Sequence, residues 1–240
     1  MLSISKTIAG TCVMHAAQQG VLDLADSVRD HLGWEGPAGD ATLGDLLTHT
    51  SGYRPDRTQR GLLGRWLHEP ARIEAMIAKR ATSERGDRAY FYNNENYLVL
   101  EAVLDAALDT PSVEWCLDEV PALRVMPSLG RADGYDAVGL AGGLAVSTPD
   151  LAAFMHALSP AADWPKAPAG DGAIYGPGIV MVDGRLIHRG AMCLLTGWGH
   201  AAIAARDSKG YAIAVTYTGC PDEAAEAALQ AILDAAIRED

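Results

Sequence analysis

The chain has 240 residues, with 31 acidic against 19 basic side chains and a formal net charge of −12. That length supports one large domain with a substantial core, and the acidic balance excludes the ordinary nucleic-acid binder, whose phosphate contacts need clustered Lys and Arg. No apolar run approaches the roughly 20 residues that span a bilayer, and the opening MLSISKTIAG lacks the charged n-region and long apolar h-region of a signal peptide. Taken literally this start predicts a cytoplasmic product, and an upstream extension would leave a periplasmic one open.

Along the chain, residues 3–19 read as a helix, because Ile4, Ile8, Cys12 and either His15 or Ala16 fall at helical spacing and Gly20 is a stop. Residues 22–32 continue with a short helical pattern. In ATLGDLLTHTSGY, residues 41–53, Thr42 can cap a helix bearing Leu43, Leu46 and Leu47, and Ser51-Gly52 can end it. Residues 54–60 are polar and Arg-rich, which predicts a surface loop, and 62–80 are helical by pattern. Residues 91–108 open as a polar loop and continue as a helix carrying Leu98, Val99, Val103 and Leu104. Pro111, Pro121, Pro127 and Gly130 cut residues 109–139 into short pieces.

Residues 139–158 end in a helix with Ser147 or Thr148 at its cap, Pro149 in the first turn and Asp150 just inside. Residues 159–172 form a Pro/Ala/Gly-rich connection, after which the apolar period becomes two. Residues 178–182 and 185–188 flank Asp183-Gly184, a hairpin signal. Residues 200–206 and 211–218 flank a second turn at 207–210, and an Ala-rich helix over 223–238 closes the chain. Helices, then antiparallel strands, then one helix predict an α+β fold with an antiparallel sheet flanked by helices. The division expected is a single domain over 1–240, with a helical lobe over 20–158 and a sheet lobe from 1–19 and 170–240.

Cys12, Cys116, Cys193 and Cys220 are scattered with no CxxC, which predicts free, partly buried thiols and no disulfide framework or zinc site. Seven histidines show no HExxH or HxH pair, so no metal or other cofactor is expected.

Three constellations carry chemistry. Ser3 and Lys6 lie three apart, on one face of a helix start. There a serine meets unpaired backbone N–H groups, and a desolvated lysine can act as its base. Only three other lysines occur, Lys79, Lys166 and Lys209. Tyr92-Asn93-Asn94 supplies a phenol that nearby cations can convert to a base, and an amide that can hold a substrate. His188-Arg189-Gly190, at a strand end, allows close approach of a ligand, with the Ala191 N–H next in line. Each alone also fits a structural reading: a capping serine, a turn asparagine, a satisfied histidine.

In order and spacing the three resemble the Ser-x-x-Lys, Tyr-x-Asn and Lys/His-x-Gly elements of class C β-lactamases and penicillin-binding-protein-like serine hydrolases. LLTHTSG at 46–52, the run from Phe91 to Leu100, and GGLAVSTPDLAAF at 142–154 also resemble segments of that family. The resemblance implies an acyl-enzyme hydrolase of an ester, amide or lactam. Ser3 would be the nucleophile, and Lys6 and Tyr92 would share proton transfers, one lowering the pKa of the other. Asn94 would position the substrate or Lys6, and His188 would stand where the third-element lysine stands. The N–H groups of Ser3 and Ala191 would form the oxyanion hole beside Gly190. His49 would be scaffold. β-Lactamase or DD-peptidase activity is the alternative within enzymes, and a non-catalytic binding domain the alternative outside them.

The resemblance also implies a stretch before the nucleophile, with a helix and two strands, whereas here Ser3 is the third residue. The chain therefore reads as N-terminally truncated, through a late-assigned start, as a fragment, or as a short form completed by a partner chain. The strand over 211–218 is then expected at an open sheet edge, where oligomers can form. The short segment between Leu117 and Gly139 predicts a thin roof over the site and points to an esterase or peptidase.

Overall fold

Ser3 lies in a single 3-10 turn, Leu2–Ile4, that runs directly into α1, Ser5–Gln18. This computed structural model describes residues 1–59, 69–108, 110–193, 199–220 and 222–236. α1 is buried on nearly every face from Ser5 to Met14, the mark of a helix driven through a core and not laid on a surface.

The expected helix over 22–32 shrinks to α2, Val28–Leu32, because Ser27 and Asp30 form a capping box that fixes its start. Thr42 and Asp45 do the same for α3, Leu43–Leu47, which ends at Thr48, earlier than Ser51-Gly52. Next come α4, Pro70–Ala81, and α5, Glu95–Ala107. The helical pattern at 62–68 falls outside the described residues. α6, Ser112–Glu119, and the short α7, Gly139–Gly142, follow. α8, Thr148–Ala157, starts as expected, with the Asp150 N–H donating to the Ser147 hydroxyl. Two minimal strands, β1 (Gly130–Arg131) and β2 (Leu144–Ala145), pair antiparallel.

The main sheet has six antiparallel strands in chain order: β3 (Ala167–Gly170), β4 (Ala173–Gly176), β5 (Ile179–Val182), β6 (Arg185–Cys193), β7 (Gly199–Arg206) and β8 (Ala212–Thr218). β3 falls in the stretch expected to be a connection. Its APAG sequence lacks alternation, and Pro168 is tolerated because β3 is an edge. Asp183 and Gly184 both take positive φ, as a two-residue hairpin requires. His188 pairs with Ala204, Gly190 with Ala202, and Ala205 with Ile213. Among the described residues β8 has no partner on its far side, the open edge expected for it.

The sheet carries a different apolar cluster on each face. Ala202, Ala204 and Leu186 join the main core around α1, α3 and α5. Ile203 and Ala205 meet Leu229 and Leu233 of α9, Glu223–Ala236.

The cysteines are disulfide-bonded, contrary to the expectation of free thiols. Cys12 of α1 is joined to Cys116 of α6, and Cys193 at the end of β6 to Cys220 beyond β8. Residues 104 apart in sequence come to a Cα separation of 5.6 Å, within the span a disulfide bridges. Sequence spacing cannot reveal a pairing that only the tertiary fold creates. No described helix is long and apolar enough to cross a membrane.

Candidate active site

α1 sets the pair at its start. Lys6 Nζ stands 3.5 Å from Ser3 Oγ and donates to the Ala141 carbonyl at 2.6 Å. The amine is 1% exposed and lies 5.5 Å from the Tyr92 ring centre and 5.7 Å from that of Tyr97. Burial lowers its pKa to about 7, and the nearby Asp56 carboxylate only partly opposes this. At neutral pH a large share of Lys6 is therefore a free amine facing a hydroxyl.

Leu2, immediately before the nucleophile, adopts a left-handed backbone with φ 53°, rare for a leucine. The strain is held where the Leu2–Ile4 turn packs against β6. That contact depends on Gly190. A Cβ there would lie 2.4 Å from Met1 O and 2.9 Å from Ser3 N. β5 pairs with β6 only over Arg185–Ile187, so from His188 onward the nucleophile turn replaces a neighbouring strand.

A cavity of about 400 Å³ opens at this junction, lined by Ser3, Thr58, Tyr92, Asn94, Ala191 and Cys193 among polar and strand residues. Leu2, Leu98, Val138 and Met192 give it apolar walls. Five of the seven candidates thus gather here: Ser3, Tyr92, Asn94 and Ala191 at the cavity, with Lys6 beneath. Gly190 packs against the turn itself.

Tyr92 does not take the state expected of it. Its hydroxyl is buried and near enough to Ser3 for that hydroxyl to lower its pKa, yet falls short of hydrogen-bond geometry. Burial dominates and drives the phenol well above its ordinary range, so no cation makes it a tyrosinate. His188 keeps its place on β6 but faces away from the cavity lined by Ser3. Its Nδ1 lies 2.8 Å from Thr7 Oγ1 and 2.6 Å from the Gly178 carbonyl, and its ring is not part of the cavity wall. Burial and the neighbouring Lys6 push its pKa to about 3, which keeps it neutral. Strand alternation turns His188 inward toward α1, where Thr7 meets it.

The side-chain hydrogen bonds of Asn94 run to neither Lys6 nor Ser3. Its Nδ2 donates to Thr58 Oγ1 at 2.9 Å and to Asp56 Oδ2 at 3.3 Å. Arg54 and Pro55 are exposed, as the surface loop expected over 54–60 requires, but Asp56 and Thr58 are 5% and 4% exposed and turn inward. One buried cation and a buried carboxylate hold the segment. Arg80 Nε donates to Glu95 Oε2 at 2.7 Å and its NH2 to the Pro55 carbonyl at 2.8 Å, while the Arg57 backbone N–H donates to Glu95 Oε1 at 2.6 Å. A buried carboxylate shared in this way pins the segment from below. Residue 60 of that stretch lies outside the described residues.

His49 is buried in a packed and hydrogen-bonded network. Its Nδ1 accepts from the Asn93 backbone and lies 2.8 Å from Asn96 Nδ2, and its ring packs 4.4 Å from Tyr92 and 4.7 Å from Tyr175. Sequence reasoning missed Asp56, Thr58 and Ala141. It also missed Glu101 of α5, whose Oε2 accepts the Leu140 N–H at 2.9 Å and so fixes α7, the turn that offers Ala141 O to Lys6. Burial raises Glu101 to about 8. No group of three or more potential metal ligands occurs among the described residues.

Solved structures share this architecture. A D-stereospecific amidohydrolase from a Streptomyces species matches 98% of the chain over 85% of its own length, with 18% identity and a TM-score of 0.68. The octameric penicillin-binding protein homologue from Pyrococcus abyssi matches 97% at 18% identity and TM-score 0.73, but this chain spans only 65% of it. The D-amino acid amidase from Ochrobactrum anthropi SV3 matches 98% over 82% of its length, with 16% identity and TM-score 0.72. At these identities the likeness speaks of fold alone. No curated protein matches the sequence. The Beta-lactamase family model matches residues 1–237. With nearly every residue covered by that match, the chain belongs to the Beta-lactamase family.

Proposed function

We propose that the protein is a serine hydrolase working through an acyl-enzyme on esters or amides. One observation carries this: the buried Lys6 amine, with its pKa near 7, 3.5 Å from the Ser3 hydroxyl. Neutral Lys6 keeps an N–H on Ala141 O and turns its lone pair to Ser3. Ser3 Oγ attacks the carbonyl carbon as its proton passes to Lys6, and the oxyanion meets the N–H groups of Ser3 and Ala191. Collapse expels the leaving group, which takes up the proton, and water then releases the acid from Ser3. Tyr92 stays a neutral phenol that can donate to the leaving group. His188 serves as support for α1.

The amidohydrolase and amidase among the structural neighbours put amides beside esters as the substrates to try first. The edge of β8 that no described strand covers is where a further strand or a second copy would add to the sheet. Incubation with a fluorophosphonate followed by peptide mass spectrometry tests the reading. An adduct on Ser3, absent from Ser3→Ala, is expected. Equal labelling of the variant, or none in the parent, would leave the binding-domain alternative standing.

A further inference from the structure

The two disulfides lie in opposite surroundings. Cys12 and Cys116 are 0% and 1% exposed, sealed in the main core. Cys193 is exposed and Cys220 half-buried, so the second bridge is within reach of a solute. Exposed disulfides are the ones that exchange with external thiols, because a thiolate must reach a sulfur atom to attack it. The exposed bridge also joins strands that are not neighbours. β7 lies between β6 and β8, and since paired strands sit about 4.8 Å apart, β6 and β8 should stand about 10 Å apart. Cys193 and Cys220 nevertheless have a Cα separation of 5.0 Å. Gly199, where β7 starts, makes this possible. It pairs with Cys193, and its carbonyl accepts the Gly219 N–H at 2.7 Å. A Cβ on Gly199 would lie 3.1 Å from Cys220 Sγ and 2.4 Å from Met192 O, so the bridge crosses β7 where a side chain is missing.

What the bridge holds is the end of β6. β5 accompanies β6 only as far as Ile187, and beyond it β7 is the single strand beside β6 among the described residues. Ala191, Met192 and Cys193 border the cavity that contains Ser3. The Ala191 N–H is thus two residues from the cross-link, on a stretch held by β7, by the Leu2–Ile4 turn and by the bridge.

We propose that Cys193–Cys220 is a thiol-exchange site through which an external dithiol switches the hydrolase down. This rests on the serine-hydrolase reading and adds its regulation. One thiolate of the dithiol attacks a bridge sulfur and expels the other cysteine as a thiolate, leaving a mixed disulfide. The second thiol of the reductant then attacks that mixed disulfide, and the reductant departs as a cyclic disulfide. Two electrons pass to the bridge, and the two protons of the dithiol end on Cys193 and Cys220. β6 then loses its tie to the residues beyond β8, and the Ala191 N–H loses its fixed position relative to Ser3.

The test titrates the whole chain with dithiothreitol, traps thiols with iodoacetamide and maps them by peptide mass spectrometry. Fluorophosphonate labelling of Ser3 and hydrogen exchange over residues 188–193 are followed alongside. Cys193 and Cys220 are expected to be alkylated while Cys12–Cys116 stays intact. In that state exchange over 188–193 should speed up, and labelling of Ser3 should slow by about tenfold. Reoxidation should restore both. The double variant Cys193→Ser, Cys220→Ser should match the reduced parent and ignore dithiothreitol; should it not fold, the titration of the parent still decides. Opening of both bridges together, or of Cys12–Cys116 first, would overturn the inference. No labelling of Ser3 in the oxidised parent would sink the hydrolase reading and the switch together. Normal labelling that stays within about twofold after selective reduction would sink the switch alone.

Discussion

Replacing Gly190 by alanine probes the closest backbone contact in the site. The added carbon would lie 2.4 Å from Met1 O, 2.9 Å from Ser3 N and 3.0 Å from Leu2 Cβ. Ordinary contact begins near 3.4 Å, so β6 and the nucleophile turn must part by about 1 Å. Two of the three obstructing atoms are backbone and cannot swing aside. The strand itself accepts alanine, so the protein should still fold, at a cost of about 1–3 kcal/mol for overpacking. Catalysis should suffer more. A displacement of about 1 Å between nucleophile and oxyanion donors costs on the order of 10²-fold. The measurements are turnover of p-nitrophenyl butyrate, fluorophosphonate labelling rate and urea unfolding, on parent and Gly190→Ala. A folded variant that labels and turns over within about threefold of the parent would show that this junction does not set the geometry of the site.

The rate of acylation should climb through pH 7 as Lys6 loses its proton. Because the folded pKa, about 7, lies below the ordinary 10.5, charged Lys6 weakens the fold at low pH, and stability rises between those values. Lys6→Met should therefore abolish turnover yet raise the urea midpoint more at pH 6 than at pH 10. Glu101 has the opposite sign. Its carboxyl is raised to about 8 by burial, helped by Asp105 and Glu114 and opposed by Arg131 and the Leu140 N–H, so stability falls as pH rises from 4.5 to about 8. Glu101→Gln should flatten that slope in urea titrations while preserving turnover, and Glu101→Ala should lower turnover by loosening α7. The Cys12–Cys116 bridge spans 104 residues, for which chain entropy predicts about 4–5 kcal/mol; the paired alanine variant should lose about 3–5 kcal/mol in chemical unfolding.

Legibility followed physical range. Ser3 and Lys6 were readable because their relation is local, one helical turn, and the hairpin at Asp183-Gly184 because two positive φ angles demand those residues. The cap at Thr42 was readable for the same local reason, whereas the capping box at Ser27 went unread and the helix was expected to start at 22 instead of 28. What failed depends on distant partners. Residues 54–60 read as solvent-facing because they are polar, and Arg54 and Pro55 are exposed, but Asp56 and Thr58 are buried where Arg80 and Glu95 arrive from two helices to hold the adjoining backbone. The phenol of Tyr92 needed cations to lower its pKa, and the fold supplies burial instead. His188 kept its motif position while strand alternation and Thr7 turned it inward. The disulfides, joining α1 to α6 and β6 to the residues beyond β8, leave no trace in sequence spacing.

β7 answers to two masters through alternate residues. Ala202 and Ala204 face the core that holds α1 and the nucleophile, and Ile203 and Ala205 face α9. The α9 cluster is small, so α9 is the natural unit to open first, exchanging its amide protons ahead of the sheet. Such opening uncovers the back of β7 without touching the contacts that hold Ser3. Damage to the outer face would thus register first as protease sensitivity and stickiness, and only later as lost chemistry.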